Sequence, residues 1–220
     1  MIINLLRHGA TDANEKGLYC GFTDLPLSGP GKSKLIQIRD TQNYRTADIY
    51  ITSGMKRANE TLDILYGKAP DLIIEDFKEY NFGRFEMKSH DELCGDEEYL
   101  HWLECGCETM CPGGESREMF RNRIKAGLDR VAGLNAESCM IVSHGGVIVT
   151  IIEILFPELF PNHNDYFQLK PELGNGISFG YSWELNCRYI PGLKEQERCY
   201  ALPVCSLDTF LPGIYKGRDL

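Results

Sequence analysis

Arg7 and His8 are the first residues in the chain whose types could do chemistry together. Arginine offers a planar, permanently charged fork that matches phosphate oxygens. Histidine can serve as base, acid, metal ligand or nucleophile. Gly9 directly after them lets the chain turn sharply and lets a ligand approach the backbone. The pair fits a phosphoryl group gripped by Arg7 and attacked by a ring nitrogen of His8. Taken alone it fits equally well a surface arginine beside a helix-capping histidine. A second junction of the same grammar, Ser143-His144-Gly145-Gly146, lies far downstream, and chance supplies one such junction more easily than two. Arg57 falls in the first turn of a helical pattern, where the dipole favours an anion and opposes a cation. An anionic partner would resolve that conflict, and a solvent-facing side chain is the plain alternative. Glu79 precedes an irregular aromatic stretch and on its own reads as a solvated acid.

These residues need elements to position them. Residues 1–6 and 139–143 are short apolar runs, each long enough for one buried strand, and each ends at a His-Gly junction. Residues 48–53, 72–74, 177–183 and 199–204 read as further strands. Apolar spacing predicts helices over 29–44, 55–66, 89–104, 115–134 and 147–156, with Thr11 or Asp12 as a cap for the segment after Gly9. Alternating strands and helices imply an open, parallel-dominated sheet. Ligands bind such sheets just beyond the carboxyl ends of the strands, where Arg7, His8, Arg57 and His144 would all emerge.

Composition sets the class. A chain of 220 residues with 43% hydrophobic and 25% charged residues is an ordinary globular one. At this length folding buries roughly 70% of the extended surface. The net charge of −9 argues against nucleic acid or an anionic membrane as the main partner, so an anionic substrate must be drawn by a local basic pocket. The longest apolar stretch, 145–156, contains Glu153 and is too short to span a bilayer. No basic and apolar leader opens the chain, so the nine cysteines are expected as reduced thiols in the cytoplasm.

Three motifs are decoys. Gly31-Lys32-Ser33 lacks the first glycine and the preceding strand of a phosphate-binding loop. Cys105, Cys107 and Cys111 form C-x-C-x3-C, which has no second pair at zinc-site spacing. Cys111 to Arg117 fits the C-x5-R of cysteine-dependent phosphatases, but Glu115 would put a negative charge into the phosphate cradle and no apolar strand seats the loop.

The ordered set of motifs resembles the histidine phosphatase superfamily, also called the phosphoglycerate-mutase-like family. The residues that carry the resemblance are Arg7-His8-Gly9-Ala10-Thr11 with Asn14, and Gly21 with Asp24-Leu25-Pro26-Leu27-Ser28. They continue with Ser53, Arg57-Ala58 and Thr61, then Glu79, Gly83 and Glu86, then Pro112-Gly113-Gly114-Glu115-Ser116 and Ser143-His144-Gly145-Gly146. The resemblance implies a three-layer α/β/α sandwich with a mostly parallel central sheet, one domain over residues 1–220, and a helical insertion at about 87–134. It implies that His8 is a nucleophile that becomes phosphohistidine, with neutral imidazole held by a backbone carbonyl near Gly9. Arg7, Arg57 and His144 grip the transferring oxygens, His144 as a cation, and Glu79 is the acid and base. Asn14, Cys20, Gly21 and Gly145 contact substrate, Glu86 is structural, and neither metal nor other cofactor is required.

The sequence departs from the family at Cys20, where relatives commonly carry a hydroxyl or amide, at Met87 and at Gly54-Met55. His90, His101 and His163 match nothing and read as surface or loop residues. Residues 87–111 are short and acidic with only Lys88 basic, which favours hydrolysis over phosphate return. The Leu-Pro-Leu-Ser and Pro-Gly-Gly-Glu-Ser runs are similar to those of the α-ribazole phosphatase-like branch. The expected activity is hydrolysis of a small phosphorylated metabolite: α-ribazole phosphate, or a sugar or glycerate phosphate. A cofactor-dependent phosphoglycerate-type mutase is the main alternative, and a non-catalytic phosphate-binding module the second. The sequence assigns no oligomeric state.

Overall fold

Apolar runs with no polar alternation form strands covered on both faces, and two of them sit at the centre of this molecule. The computed structural model describes residues 1–41, 44–157 and 169–183, and the backbone of 187–189 and 201–203. Strands β1 (Ile2–Arg7) and β4 (Ser138–Ser143) lie parallel, side by side, in register from Ile2 opposite Ser138 to Arg7 opposite Ser143. That register places His8 and His144, the next residue on each strand, at the same level. His8 N–H donates to the Ser143 carbonyl at 2.9 Å and continues the ladder.

Strand β2 (Ile49–Thr52) pairs parallel with β4, and β3 (Leu72–Ile73) with β2. On the other side of β1 lies β5 (Gly176–Ser182), antiparallel, whose outer edge takes the short strands β6 (Cys187–Tyr189) and β7 (Ala201–Pro203). The order is β3-β2-β4-β1-β5-β6, with β7 also on β5. The sheet is thus parallel through β1–β4 and antiparallel beyond β1. Asn4, buried within β1, is satisfied there: its Nδ2 donates to the Cys139 carbonyl and its Oδ1 accepts from Ser178 Oγ.

Right-handed crossovers decide the layers. From β1 the chain moves through α1 (Asp12–Glu15) and α2 (Gly29–Thr41) to β2, then through α3 (Lys56–Tyr66) to β3. It returns to β4 through α4 (His90–Leu93), α5 (Glu97–Glu104) and α6 (Arg117–Ala132), and leaves β4 through α7 (Gly145–Leu155). The direction reverses at β3, so α2 and α3 pack together on one face, and α6 and α7 on the other. The helix after β1 and the helix after β4 therefore leave the sheet on opposite sides. A crevice opens between two adjacent carboxyl ends, the place where such folds bind ligands. Among the described residues no helix is long and apolar enough to cross a membrane.

Some boundaries differ from the sequence expectation. The helix expected over 89–104 is two, because Ser89 and Asp96 each cap a new start and Gly95 separates them. The helix expected from Glu115 begins at Arg117, with Ser116 Oγ accepting the Met119 N–H. The helix expected at Val147 begins at Gly145, directly after His144. His163 and the segment after Pro203 lie outside the described residues.

Beneath His8 the backbones of β1 and β5 nearly touch. A Cβ built on Gly176 would come within 1.9 Å of the Leu5 carbonyl oxygen, whereas one on Gly29 meets nothing within 4 Å. Gly176→Ala is expected to cost about 3 kcal/mol by forcing the strands apart. Gly29→Ala is expected to change stability by less than about 0.5 kcal/mol. Urea unfolding of both variants tests the contrast, and equal stability would contradict the close approach.

Candidate active site

His8 is 5% exposed, and its Nδ1 lies 2.6 Å from the Gly9 carbonyl. A carbonyl only accepts, so Nδ1 carries the proton and Nε2 keeps its lone pair. Burial first, then the charge of Arg57, holds the His8 pKa well below the ordinary value of 6.5. The ring is therefore neutral at neutral pH and nucleophilic at Nε2. The Gly9 N–H donates to Thr61 Oγ1, and that hydroxyl donates to the Arg57 carbonyl, which ties the end of β1 to α3.

Arg57 and His144 lie behind His8, 1% and 0% exposed. Arg57 Nε donates to His144 Nδ1 at 3.2 Å, so the proton of His144 sits on Nε2 and points to Ser53 Oγ at 2.8 Å. Burial and the Arg57 charge hold the His144 pKa well below 6.5. His144 is thus neutral here, not the cation expected beside a phosphate dianion: the nearest guanidinium occupies its free lone pair. The two imidazoles meet edge to face with centroids 5.1 Å apart.

Arg57 also donates to the Thr23 and Gly21 carbonyls at 2.9 and 2.7 Å. Those carbonyls are fixed by Glu86, whose carboxylate accepts from the N–H groups of Gly21, Phe22 and Thr23 and from Thr23 Oγ1. Gly21, expected to contact substrate, lies between Glu86 and the Tyr80 carbonyl, which a Cβ would approach to 1.6 Å. Its carbonyl accepts from Arg57, and it is not among the residues lining the cavity over His8.

That cavity measures about 470 Å³, and Arg7, Asn14, Cys20, Glu79 and Gly145 line it. Arg7 Nη1 donates to the Pro171 carbonyl at 2.7 Å, and its buried Nε has no hydrogen-bond partner among the described residues. Asn14 Oδ1 accepts the Thr11 N–H, closing the capping box of α1. Cys20 Sγ donates to the Thr23 carbonyl at 3.6 Å, and burial raises its pKa.

Glu79 Oε2 accepts the Gly146 N–H at 3.0 Å, at the positive end of α7. A side chain at Gly146 would collide with this carboxylate, its Cβ falling 2.5 Å from Oε1. Arg123 holds the loop beneath: its guanidinium donates to the carbonyls of Asp76, Lys78 and Glu79, and grips Glu115 at 2.7 and 3.0 Å. Glu115, the acid of the Pro-Gly-Gly-Glu-Ser run, is thus an anchor for Arg123.

Two residues were missed from the sequence. Arg123 is one of several charged residues on α6, and nothing in its spacing separates it from a solvent-facing neighbour. Lys170 also lines the cavity, its stem crossing Gly145 so closely that a Cβ there would come within 2.5 Å of Lys170 Cε. It follows no motif. Burial lowers its pKa, while Glu79 and Glu172 support its charge.

The cysteine decoys resolve. Cys111 is fully buried beside Tyr80, and burial pushes its thiol up to about 12, so it is not a nucleophile. Arg117 is held by Glu108 and Glu153. No group of three or more His, Cys, Asp or Glu is placed to hold a metal among the described residues.

With this geometry in place, known proteins supply a comparison. A family model described as the histidine phosphatase superfamily (branch 1) matches residues 3–175. Over 153 residues the chain is 30% identical to an adenosylcobalamin/alpha-ribazole phosphatase of Salmonella typhimurium, covering 67% of this chain and 76% of that one. A probable phosphoglycerate mutase of Escherichia coli is 29% identical over 158 residues, covering 68% and 74%. The crystal structure of an alpha-ribazole phosphatase from Shigella flexneri superposes with a TM-score of 0.73 at 25% identity, over 84% of this chain and 92% of that one.

The charges have two measurable outcomes. Both histidines are neutral when folded and take up protons when unfolded, so stability is complete above pH 6.5 and falls as pH drops below it. The slope is about 1.4 kcal/mol per pH unit for each histidine. Urea titrations from pH 7.5 to 5 on wild type and His8→Asn should show a shallower acid loss in the variant; identical slopes would contradict a neutral His8. Arg123→Met breaks a largely buried pair and frees the Glu79 loop, at an expected cost of about 3 kcal/mol. The same urea unfolding measures it, and a loss under about 1 kcal/mol would show that the loop is held elsewhere.

Proposed function

The chain belongs to the histidine phosphatase superfamily, and on that premise we propose that it hydrolyses a small phosphomonoester through a phosphohistidine at His8. One observation carries this reading: a buried, neutral His8, its Nδ1 proton fixed on Gly9, presents Nε2 to a cavity whose near wall carries Arg7 and Lys170. The family relation supports a hydrolase acting on a phosphorylated metabolite. The name of the Salmonella relative makes α-ribazole phosphate the first substrate to test, ahead of sugar and glycerate phosphates.

In the proposed reaction, His8 Nε2 attacks phosphorus in line with the leaving oxygen. The phosphorus–oxygen bond breaks, and the leaving oxygen takes a proton from the Glu79 carboxyl group. Water then attacks the phosphohistidine, gives its proton to Glu79 and releases inorganic phosphate, which restores His8. Arg7, Lys170 and Asn14 face the phosphoryl oxygens from the cavity wall, and Gly145 opens the α7 end to them. Arg57 and His144 act from beneath. Arg57 supplies charge to a transition state that spreads its own over three oxygens, and His144 fixes Arg57 Nε. Cationic side chains carry this stabilisation, so no step is routed through a metal. The reading takes residues 1–220 as one catalytic domain with its insertion at 87–134, working with reduced thiols in the cytoplasm. Six free thiols among the described residues agree with that setting.

Phosphate release from α-ribazole phosphate, 3-phosphoglycerate, sugar phosphates and p-nitrophenyl phosphate, with a chelator present, tests the proposal. Wild type should turn over at least one ester, and His8→Ala should lose activity at least about a thousandfold. Dependence on 2,3-bisphosphoglycerate with net transfer would establish the mutase alternative. Phosphate binding without turnover would establish the binding module.

A further inference from the structure

The phosphoryl end occupies only part of the cavity. The remainder is walled by Tyr19 from the turn after α1, Phe82 from the segment after Glu79, and Trp102 with Leu103 from α5. Phe120 on α6 and Val149 on α7 complete the wall. Trp102 stands edge to face with both other rings, to Tyr19 at 6.1 Å and 81° and to Phe82 at 6.3 Å and 89°, while Tyr19 and Phe82 are tilted at 54° with centroids 5.1 Å apart. Such a cluster offers flat, polarised faces to another ring. The Tyr19 ring is pinned at its far end, where its hydroxyl pairs with Tyr99 at 2.8 Å, and Tyr99 in turn with His90 Nδ1 at 2.7 Å. His90, exposed as expected of a surface residue, also lines the cavity.

Charge is distributed to match. Arg7, Lys170 and Glu79 stand at the phosphoryl end. Among the described residues the other charged side chain of the wall, Arg117, is already paired with Glu108 and Glu153. A leaving group with a carboxylate, such as glycerate or serine, would find no unpaired cation among the described residues beyond the phosphoryl end, and desolvation would count against it. The volume of about 470 Å³ falls within the ~300–1,000 Å³ of pockets that enclose ring-bearing small molecules.

From this juxtaposition we infer that the leaving group is a planar aromatic or heteroaromatic moiety, docked on the Tyr19, Phe82 and Trp102 wall beside His8. The inference rests on the phosphatase reading above and deepens it, because it assigns specificity to the ring and not to the sugar or acid that bears the phosphate. Recognition is by contact area and ring faces. It therefore acts on binding throughout the reaction, and its loss shows chiefly in KM.

Matched esters test it, since each pair keeps the leaving oxygen and changes only the ring. 2-Phenylethyl phosphate is compared with ethyl phosphate, and α-ribazole 5′-phosphate with ribose 5-phosphate. Wild type should favour the ring-bearing member of each pair at least tenfold in kcat/KM. Trp102→Leu and Tyr19→Leu should each cut that preference at least fivefold, mainly through KM. The preference is a ratio within one preparation, so a smaller folded fraction cancels. Should Trp102→Leu fail to fold, Tyr19→Leu, changing a half-buried ring, decides the question. A wild-type preference near one, a preference for glycerate or serine phosphates, or ratios unmoved in the folded variants would overturn the inference while hydrolysis through His8 stands. No release from any ester would overturn the phosphatase reading, and the inference with it.

Discussion

Arg57 carries a full positive charge at 1% exposure, and its hydrogen bonds run to two carbonyls and an imidazole, not to a carboxylate. Burying an ion this way costs several kcal/mol unless dipoles replace the lost water. The dipoles here come from the 21–23 loop, and Glu86 holds that loop from the side away from Arg57. The negative charge is thus kept one peptide away. Near enough to orient the carbonyls, it leaves the guanidinium uncancelled towards His8 and His144. The low pKa of both histidines comes from that arrangement and from burial. The same arrangement leaves a local positive field in a chain whose net charge is −9, as the proposed anionic substrate requires.

A second arginine solves the opposite problem. Arg123 is paired directly with Glu115, and the pair is neutral overall. Its remaining donors go to three carbonyls on the approach to Glu79. One guanidinium therefore supplies field and the other supplies position. Exchanging their roles would place an uncancelled charge under Glu79 and a neutral pair under His8, the reverse of what the proposed mechanism needs.

The aromatic chamber completes a division of labour across the fold. Strand ends and the helix starts behind them handle the phosphoryl group, while the chain between β3 and β4, with α4, α5 and α6, supplies most of the wall beyond it. In the proposed reading the chemistry rests on backbone-anchored networks and the specificity on side-chain rings, two sets of residues that overlap little.

Much of this was legible in the residues. The apolar runs before His8 and His144 read as buried strands, and strands ending in His-Gly were expected to deliver both residues beyond the carboxyl ends of a parallel sheet. Thr11 and Ser89 stand at helix starts that the sequence located, because short polar side chains satisfy free N–H groups locally, whereas the starts capped by Asp96 and Ser116 fell inside or beside longer expected helices. Tertiary structure alone decided that β1 and β4 are neighbours in register, and that Gly21 is a spacer under Arg57. It alone made His144 an acceptor of the Arg57 N–H, and brought Arg123, Lys170 and His90 to the site. The physical reason is distance along the chain. Secondary structure and capping arise between residues a few positions apart, so composition and spacing encode them. A pKa, a counter-charge or a pocket wall arises between residues that meet only after the strands have paired, and a lone Lys or Arg carries no mark of the partner it will face.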